Sequence, residues 1–192
     1  MAASFFAFLD RMKYIDRWSL MRNTTRDDLS SHSFEVASVA YALCCIGNRR
    51  LGRSYDAERA CALGLYHDVP EILTGDLPTP VKYFSPHIKR AYDEVETEAQ
   101  RRLLEALPED LRPDFEPFFF RRDEDEALWR IVKAADKLSA LIKCVSERKA
   151  GNGEFATAEA STRAAIDALD CPEARVFIEE FLPAYEMTLD QL

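Results

Sequence analysis

GLYHDVPEIL, residues 64–73, is the stretch on which the reading of this chain turns. It lies near the end of a helix-like run that opens at Asp56, a residue type that caps helices by accepting from their first free N–H groups. Within it His67 and Asp68 are adjacent, in a chain that has only three histidines. If both project from one helical turn, a ring nitrogen and a carboxylate oxygen can share a divalent ion. Such an ion needs further ligands, so the rest of the chain must supply them.

Outward from this stretch the pattern is helical nearly throughout. Only six glycines occur, and no segment sustains the period-two alternation of a strand. Phe5 to Lys13 reads as a short helix, and Tyr14 to Leu29 as irregular and polar. Ser30 or Ser31 can cap a second helix that runs to about Ile46, with Gly47-Asn48 as its stop. A third helix follows from Ala57 to about Leu73, interrupted by Pro70. GDLPTP, residues 75–80, is a stiff loop. A fourth helix spans Pro86 to Leu107, then Pro108 to Arg122 is a connector carrying the cluster Phe118-Phe119-Phe120. A long helix from Glu124 to Ala150 ends at Gly151-Asn152-Gly153, and two more cover Glu154 to Leu169 and Pro172 to Tyr185. The fold class is all-α, with residues 1–192 forming a single domain.

Composition narrows the partners. Hydrophobic residues make up 47% and charged residues 31%, an ordinary globular balance. A formal net charge of -9 leaves little to gain from counterion release, which argues against a nucleic-acid polymer as partner. Cys44, Cys45, Cys61, Cys144 and Cys171 are an odd set without a CxxC pair, and read as reduced thiols of a cytoplasmic protein. The N-terminus lacks a signal-peptide layout, and no apolar run approaches the roughly 20 residues of a membrane helix. A cytoplasmic protein without a membrane partner is therefore expected.

Two residues are candidates to complete the ligand set. His32 lies on the apolar face of its helix, with Val36, Val39, Ala40 and Leu43 following at helical spacing. Alone, it reads equally as a core histidine satisfied by one hydrogen bond. Asp136 lies at the margin of a stripe formed by Leu128, Ile131, Val132, Ala135, Leu138 and Ile142. A carboxylate there is costly unless paired or bound to metal, so a salt bridge is the alternative. Helices packed around one core can aim such residues at one point. Two imidazoles and two carboxylates make a mixed nitrogen and oxygen set, suited to manganese, cobalt, iron or zinc rather than calcium. Four protein ligands leave positions open for water and substrate, as a hydrolytic metal requires.

The order His…His-Asp…Asp, together with RWSLMRN at 17–23, SSHSFEVA at 30–37, YHDVPEILTGDLPTPVKYF at 66–84 and KAADKLSALIKC at 133–144, resembles the bacterial 5′-deoxynucleotidases of the YfbR-like family, within the HD-domain superfamily. The likeness extends over nearly the whole chain, with no departure at the motif positions. It implies a helical HD-domain bundle, usually dimeric, that removes phosphate from deoxyribonucleoside 5′-monophosphates with one divalent ion, cobalt, manganese or a similar transition metal. Its implied metal ligands are His32, His67, Asp68 and Asp136, of which Asp68 and Asp136 also border the substrate. Arg17 would orient the phosphate, since a guanidinium holds two phosphate oxygens at once. Trp18 would line the deoxyribose pocket, and Asp76, Leu77, Pro78 and Thr79 would bind substrate, Asp76 by accepting from the sugar 3′-hydroxyl. Without the resemblance, a surface Arg, a packing Trp and a stiff turn explain these residues as well.

Glu71 follows the metal pair by one helical turn, and a carboxylate there is placed for proton transfer as acid or as base. A solvated helix-terminal Glu is the plainer reading, and the resemblance favours the catalytic one. Lys82 and His87 are nearby and unassigned. The aromatics Phe177, Phe181 and Tyr185 look exposed and fit a homodimer. The rivals are an HD phosphohydrolase acting on a triphosphate, cyclic dinucleotide or alarmone, and a non-catalytic metal-binding helical module.

Overall fold

The structure, a computed structural model, describes residues 2–192. Ten α-helices follow one another: α1 Phe5–Leu9, α2 Leu29–Arg50, α3 Ala57–Tyr66, α4 Glu71–Thr74, α5 Thr79–Lys82, α6 Pro86–Glu105, α7 Arg112–Phe119, α8 Glu126–Lys149, α9 Ala156–Asp167 and α10 Pro172–Glu180. Short 3₁₀ turns join several of them. No strand forms among the described residues, and a lone bridge pairs Asp16 with Asp28. The all-α expectation holds.

Several boundaries differ from the sequence reading, each for a physical reason. The cap of α2 is Asp28 rather than Ser30 or Ser31: its carboxylate accepts from the Ser30 and Ser31 N–H groups, both at 3.0 Å. That helix also runs through Gly47-Asn48. A side chain at Gly47 would meet the Tyr55 ring at 2.9 Å, so this glycine serves close packing and not helix termination. The third helix stops at Tyr66, and residues 67–70 form a turn whose last residue, Pro70, precedes α4 as its cap. His67 and Asp68 therefore sit on a turn between two helices. The 108–122 connector is itself mostly helix, because Pro113 occupies the first turn of α7, where no backbone donor is needed. Phe177 is buried, stacked on Phe181 at 5.3 Å, and is not the exposed aromatic expected. α2 reaches the length and apolar content of a membrane-crossing helix, where the sequence reading found no such run. Its most apolar window is 56% buried inside the protein, and the helix carries His32 and Glu35.

Contacts group the residues into two compact units, where the sequence suggests one domain. The first comprises residues up to Leu20, Asp27–Ser33 and Tyr66–Arg122. Its core is Phe5, Met12, Leu29, Val69, Leu103, Leu107 and Phe119, with Ile72, Leu73 and Phe115 packed against it. Val69 and Leu29 are wholly buried. Each such side chain contributes about 1.5–3 kcal/mol by leaving water. They anchor the His67-Asp68 turn and the first turn of α2.

The second unit comprises Met21–Arg26, Phe34–Leu65 and Asp123–Leu192. Its centre is α8, which buries Ile131, Val132, Ala135, Leu138, Leu141, Ile142 and Val145. A side chain at Gly64 would meet the Ala37 backbone at 3.0 Å, so a glycine is what lets α3 lie this close to α2. Fully buried Glu147 accepts from Thr24 Oγ1 at 2.6 Å, from Asn152 Nδ2 at 2.9 Å and from Lys143, which ties the 21–26 segment to the end of α8.

Candidate active site

Three potential ligands converge within the first unit. His32 lies in the first turn of α2, its N–H donating to the Asp28 carbonyl at 3.0 Å, and only 1% of its surface is exposed. The turn after α3 presents His67 and Asp68, closed by the Val69 N–H on the Tyr66 carbonyl at 3.2 Å. Asp68 Oδ2 lies 3.4 Å from His32 Nε2 and 3.0 Å from His67 Nε2. The two imidazole rings are 5.3 Å apart, and one ligand atom from each of the three residues lies within 4.8 Å of the others. Burial alone would raise the Asp68 carboxyl, but the two imidazoles beside it outweigh burial and hold it well below the usual carboxylate range. An ionised carboxylate with two imidazole nitrogens turned on one oxygen is the donor set of a divalent transition metal, so these residues fit such an ion. The fourth expected ligand, Asp136, belongs to the second unit, on α8, where Lys137 Nζ donates to its carboxylate at 3.3 Å.

Glu71 opens α4, its N–H donating to the Asp68 carbonyl at 2.9 Å. Burial, and then the neighbouring charges of Asp68 and Asp76, push its carboxyl up to about 10, against the opposing charges of Lys82 and Arg17. Glu71 is thereby pushed toward its protonated form, and it is half-buried, not a solvated terminal carboxylate. Past α4 the chain turns sharply at Gly75, with φ +74°, a conformation that favours glycine. Asp76 follows, raised by burial while the Arg17 charge and the Trp18 N–H, which donates to it, act in the opposite sense. Leu77 and Pro78 are half-buried, and Thr79 is exposed at the start of α5.

Arg17 and Trp18 are fixed by a residue the sequence reading passed over. Asp27 Oδ2 accepts from Arg17 Nη1 at 2.9 Å and from Trp18 Nε1 at 3.0 Å. The Arg17 N–H donates to the Asp27 carbonyl at 2.9 Å as well. Trp18 has φ +58°, unusual for a bulky side chain and worth about 1–3 kcal/mol of strain. No periodicity marks Asp27, which lies in the irregular polar segment; its only signal was being an acid near a candidate phosphate-binding arginine. Lys82, left unassigned, is close enough for its charge to act on Glu71. His87 follows Pro86 at the start of α6 and is exposed.

Comparison with known proteins places the chain in a family. The family described as 5′-deoxynucleotidase YfbR-like matches residues 4–185. A 5′-deoxynucleotidase of Vibrio cholerae is 45% identical over 188 residues, covering 98% of this chain and 97% of that protein. Among solved structures, an HD-domain phosphohydrolase from Listeria innocua has a TM-score of 0.82 at 22% identity, covering 95% of this chain and 88% of that one. The HD phosphohydrolase of cyanophage S-2L, solved with dA and one catalytic Zn2+, has a TM-score of 0.67 at 17% identity, covering 95% and 96%. The two structural likenesses speak for the HD-domain fold, and the sequence matches go further: the chain belongs to the YfbR-like 5′-deoxynucleotidase family.

Proposed function

We propose that this protein hydrolyses deoxyribonucleoside 5′-monophosphates to the deoxyribonucleoside and phosphate. The observation that carries this is the convergence of His32, His67 and Asp68 with half-buried Glu71 beside them, in a chain whose relatives are named for that activity. His32, His67 and Asp68 would hold one divalent ion, with Asp136 as the fourth ligand. Such an ion, when bound, polarises the phosphate and makes water a better nucleophile. Cobalt, manganese or a similar transition metal suits the donor set.

Arg17, aimed by Asp27, pairs with the phosphate oxygens and balances their charge as the transition state loosens. The Trp18 indole walls the deoxyribose, Asp76 accepts from the 3′-hydroxyl, and Leu77, Pro78 and Thr79 line the sugar side. Water adds to phosphorus as the P–O5′ bond breaks. Glu71 gives its proton to the leaving 5′-oxygen and regains one from the water that has reacted. Because burial and its acidic neighbours favour the protonated form, the leaving-group role suits it better than that of a base.

The protein acts as a homodimer in the cytoplasm. The exposed Phe34, Tyr41, Phe181 and Tyr185 support a further interface, and the five free cysteines support a reducing compartment. Phosphate release from dAMP, dCMP, dGMP, AMP and dATP, measured with protein stripped and then reloaded with Co2+ or Mn2+, tests the activity. Release from the deoxyribonucleoside monophosphates and not from AMP is the expected result. Metal bound in stoichiometric amount with no release from any monophosphate would leave a non-catalytic module as the answer.

A further inference from the structure

The loop that carries Asp76 is held at both ends by one side chain from another helix. Tyr92, on α6, donates through its hydroxyl to the Gly75 carbonyl at 3.4 Å and shares a hydrogen bond with Thr74 Oγ1 at 3.2 Å. The face of the same ring lies under Lys82 Nζ, 4.6 Å from the ring centroid. Thr74 and Gly75 close α4, and Lys82 closes α5. The residues from Asp76 to Thr79, expected with Trp18 to contact the sugar, all lie between these two points. The hydroxyl thus fixes the entrance of the loop and the ring fixes its exit.

The chemistry of the contacts supports a fixed rather than a passing arrangement. Burial pushes the Tyr92 phenol up to about 12, so it remains a donor at any physiological pH. Thr74 Oγ1 also lies 3.1 Å from the Gly75 carbonyl, so the two hydroxyls divide their two protons between that oxygen and each other. Gly75 has φ +74° and ψ 159°, a region with little intrinsic preference to hold it for any residue but glycine. The peptide it begins leads directly to Asp76, whose carboxylate meets the Trp18 N–H on its other side. Lys82 has one further partner, Glu96, at 4.0 Å, beyond hydrogen-bond length. A cation over an aromatic face is attracted by the ring's quadrupole, so the Tyr92 ring supports that lysine beside Glu96.

We propose that Tyr92 is a positioning residue for sugar recognition: by clamping the 75–82 loop at both ends it sets Asp76 where that carboxylate accepts the 3′-hydroxyl. This rests on the substrate reading above, and in particular on the role given there to Asp76. A tyrosine that merely fills space between α4 and α6 would influence all substrates alike. A clamp acting through Asp76 influences only those that have a 3′-hydroxyl.

The test compares kcat and KM on dAMP and on 2′,3′-dideoxyadenosine monophosphate, with Co2+-loaded protein, for wild type, Tyr92→Phe, Lys82→Met and Asp76→Asn. Tyr92→Phe keeps the ring under Lys82 and removes the hydroxyl. Its kcat/KM on dAMP should fall about tenfold, chiefly through KM, the size expected when a hydrogen bond that orders a binding group is lost. On the dideoxy substrate the change should stay under about twofold. Lys82→Met, which keeps the stem and removes the cation, should show the same selective loss at smaller size, and serves should Tyr92→Phe fold poorly. Equal losses on both substrates in Tyr92→Phe and Lys82→Met would overturn the clamp. Asp76→Asn separates this from the underlying reading. If Asp76→Asn loses selectively on dAMP and the other two do not, the clamp alone is wrong. If Asp76→Asn shows no selectivity, Asp76 does not receive the 3′-hydroxyl, and the proposal falls with that assignment.

Discussion

Removing the Asp27 carboxylate should disable the phosphate-binding arginine without touching it. Asp27 Oδ2 accepts from Arg17 Nη1 at 2.9 Å and from Trp18 Nε1 at 3.0 Å. The two members of the ion pair are only 12% and 16% exposed, so solvent screens it little. A hydrogen bond to a charged group contributes about 1.5–3 kcal/mol and the indole bond about 1 kcal/mol. Asp27→Ala should therefore lower the unfolding free energy by about 3 kcal/mol, with strained Trp18 losing one of its restraints. The freed guanidinium must then be ordered by the substrate itself, and kcat/KM on dAMP should drop about ten- to a hundredfold. Asp27→Asn keeps the shape and the acceptor for Trp18, and should show about half of each effect in free energy. Urea unfolding and steady-state kinetics read these quantities, and the cycle with Arg17→Ala assigns them. If Asp27 acts through Arg17, its removal costs little further activity once Arg17 is gone. Wild-type stability and activity in Asp27→Ala would refute the reasoning, and so would full additivity of the two substitutions in kcat/KM.

Two further outcomes follow from the charges at the site. In chelator-treated protein Glu71 titrates near 10 instead of 4.5, so folding favours its protonated form; that contribution is whole below about 4.5 and is lost as pH rises through about 10. Melting temperature in chelator should then decline between about pH 5 and 9, Glu71→Gln should flatten the decline, and an unchanged slope in that variant would contradict the shift. His67→Ala removes one of three convergent ligands and should weaken Co2+ or Mn2+ binding at least about tenfold by calorimetry, while Lys89→Ala, an exposed surface change, should leave it alone.

How much of this was legible in the sequence depended on whether a residue's role was local. The long α8 is read from its own apolar stripe, and its expected span of 124–150 needs only small trimming. The His67-Asp68 pair was legible as chemistry and misread as geometry, because Pro70 ends the helix earlier than a mere interruption would. A proline lacks the N–H that would continue α3 but is well suited to open α4, and both effects put the pair on a turn. Gly47 reads as a stop because glycine usually is one, whereas here it makes room for Tyr55, a contact no local pattern announces. Asp27 and Tyr92 escaped for the same reason. Their partners are nine or more residues away, and neither lies in a motif that names its function.

The three acids that surround the metal pair show how one short segment can assign different tasks to like groups. Asp68, Glu71 and Asp76 are neighbours in sequence, yet Asp68 is driven down by two imidazoles while Glu71 is driven up, first by burial and then by Asp68 and Asp76 themselves. Titratable groups whose environments push them apart mark the acid and base of a site. A divalent ion held at Asp68 would more than offset that carboxylate's push on Glu71, the second cause of the shift. Burial, the first, is unaffected by it, and Asp76 remains. Glu71 therefore lies lower in the loaded protein than in the empty one, with burial and Asp76 still opposing its ionisation. Asp76→Asn should lower it further and move the alkaline limb of the kcat profile to lower pH. An alkaline limb indifferent to Asp76→Asn would mean that some other group supplies the proton.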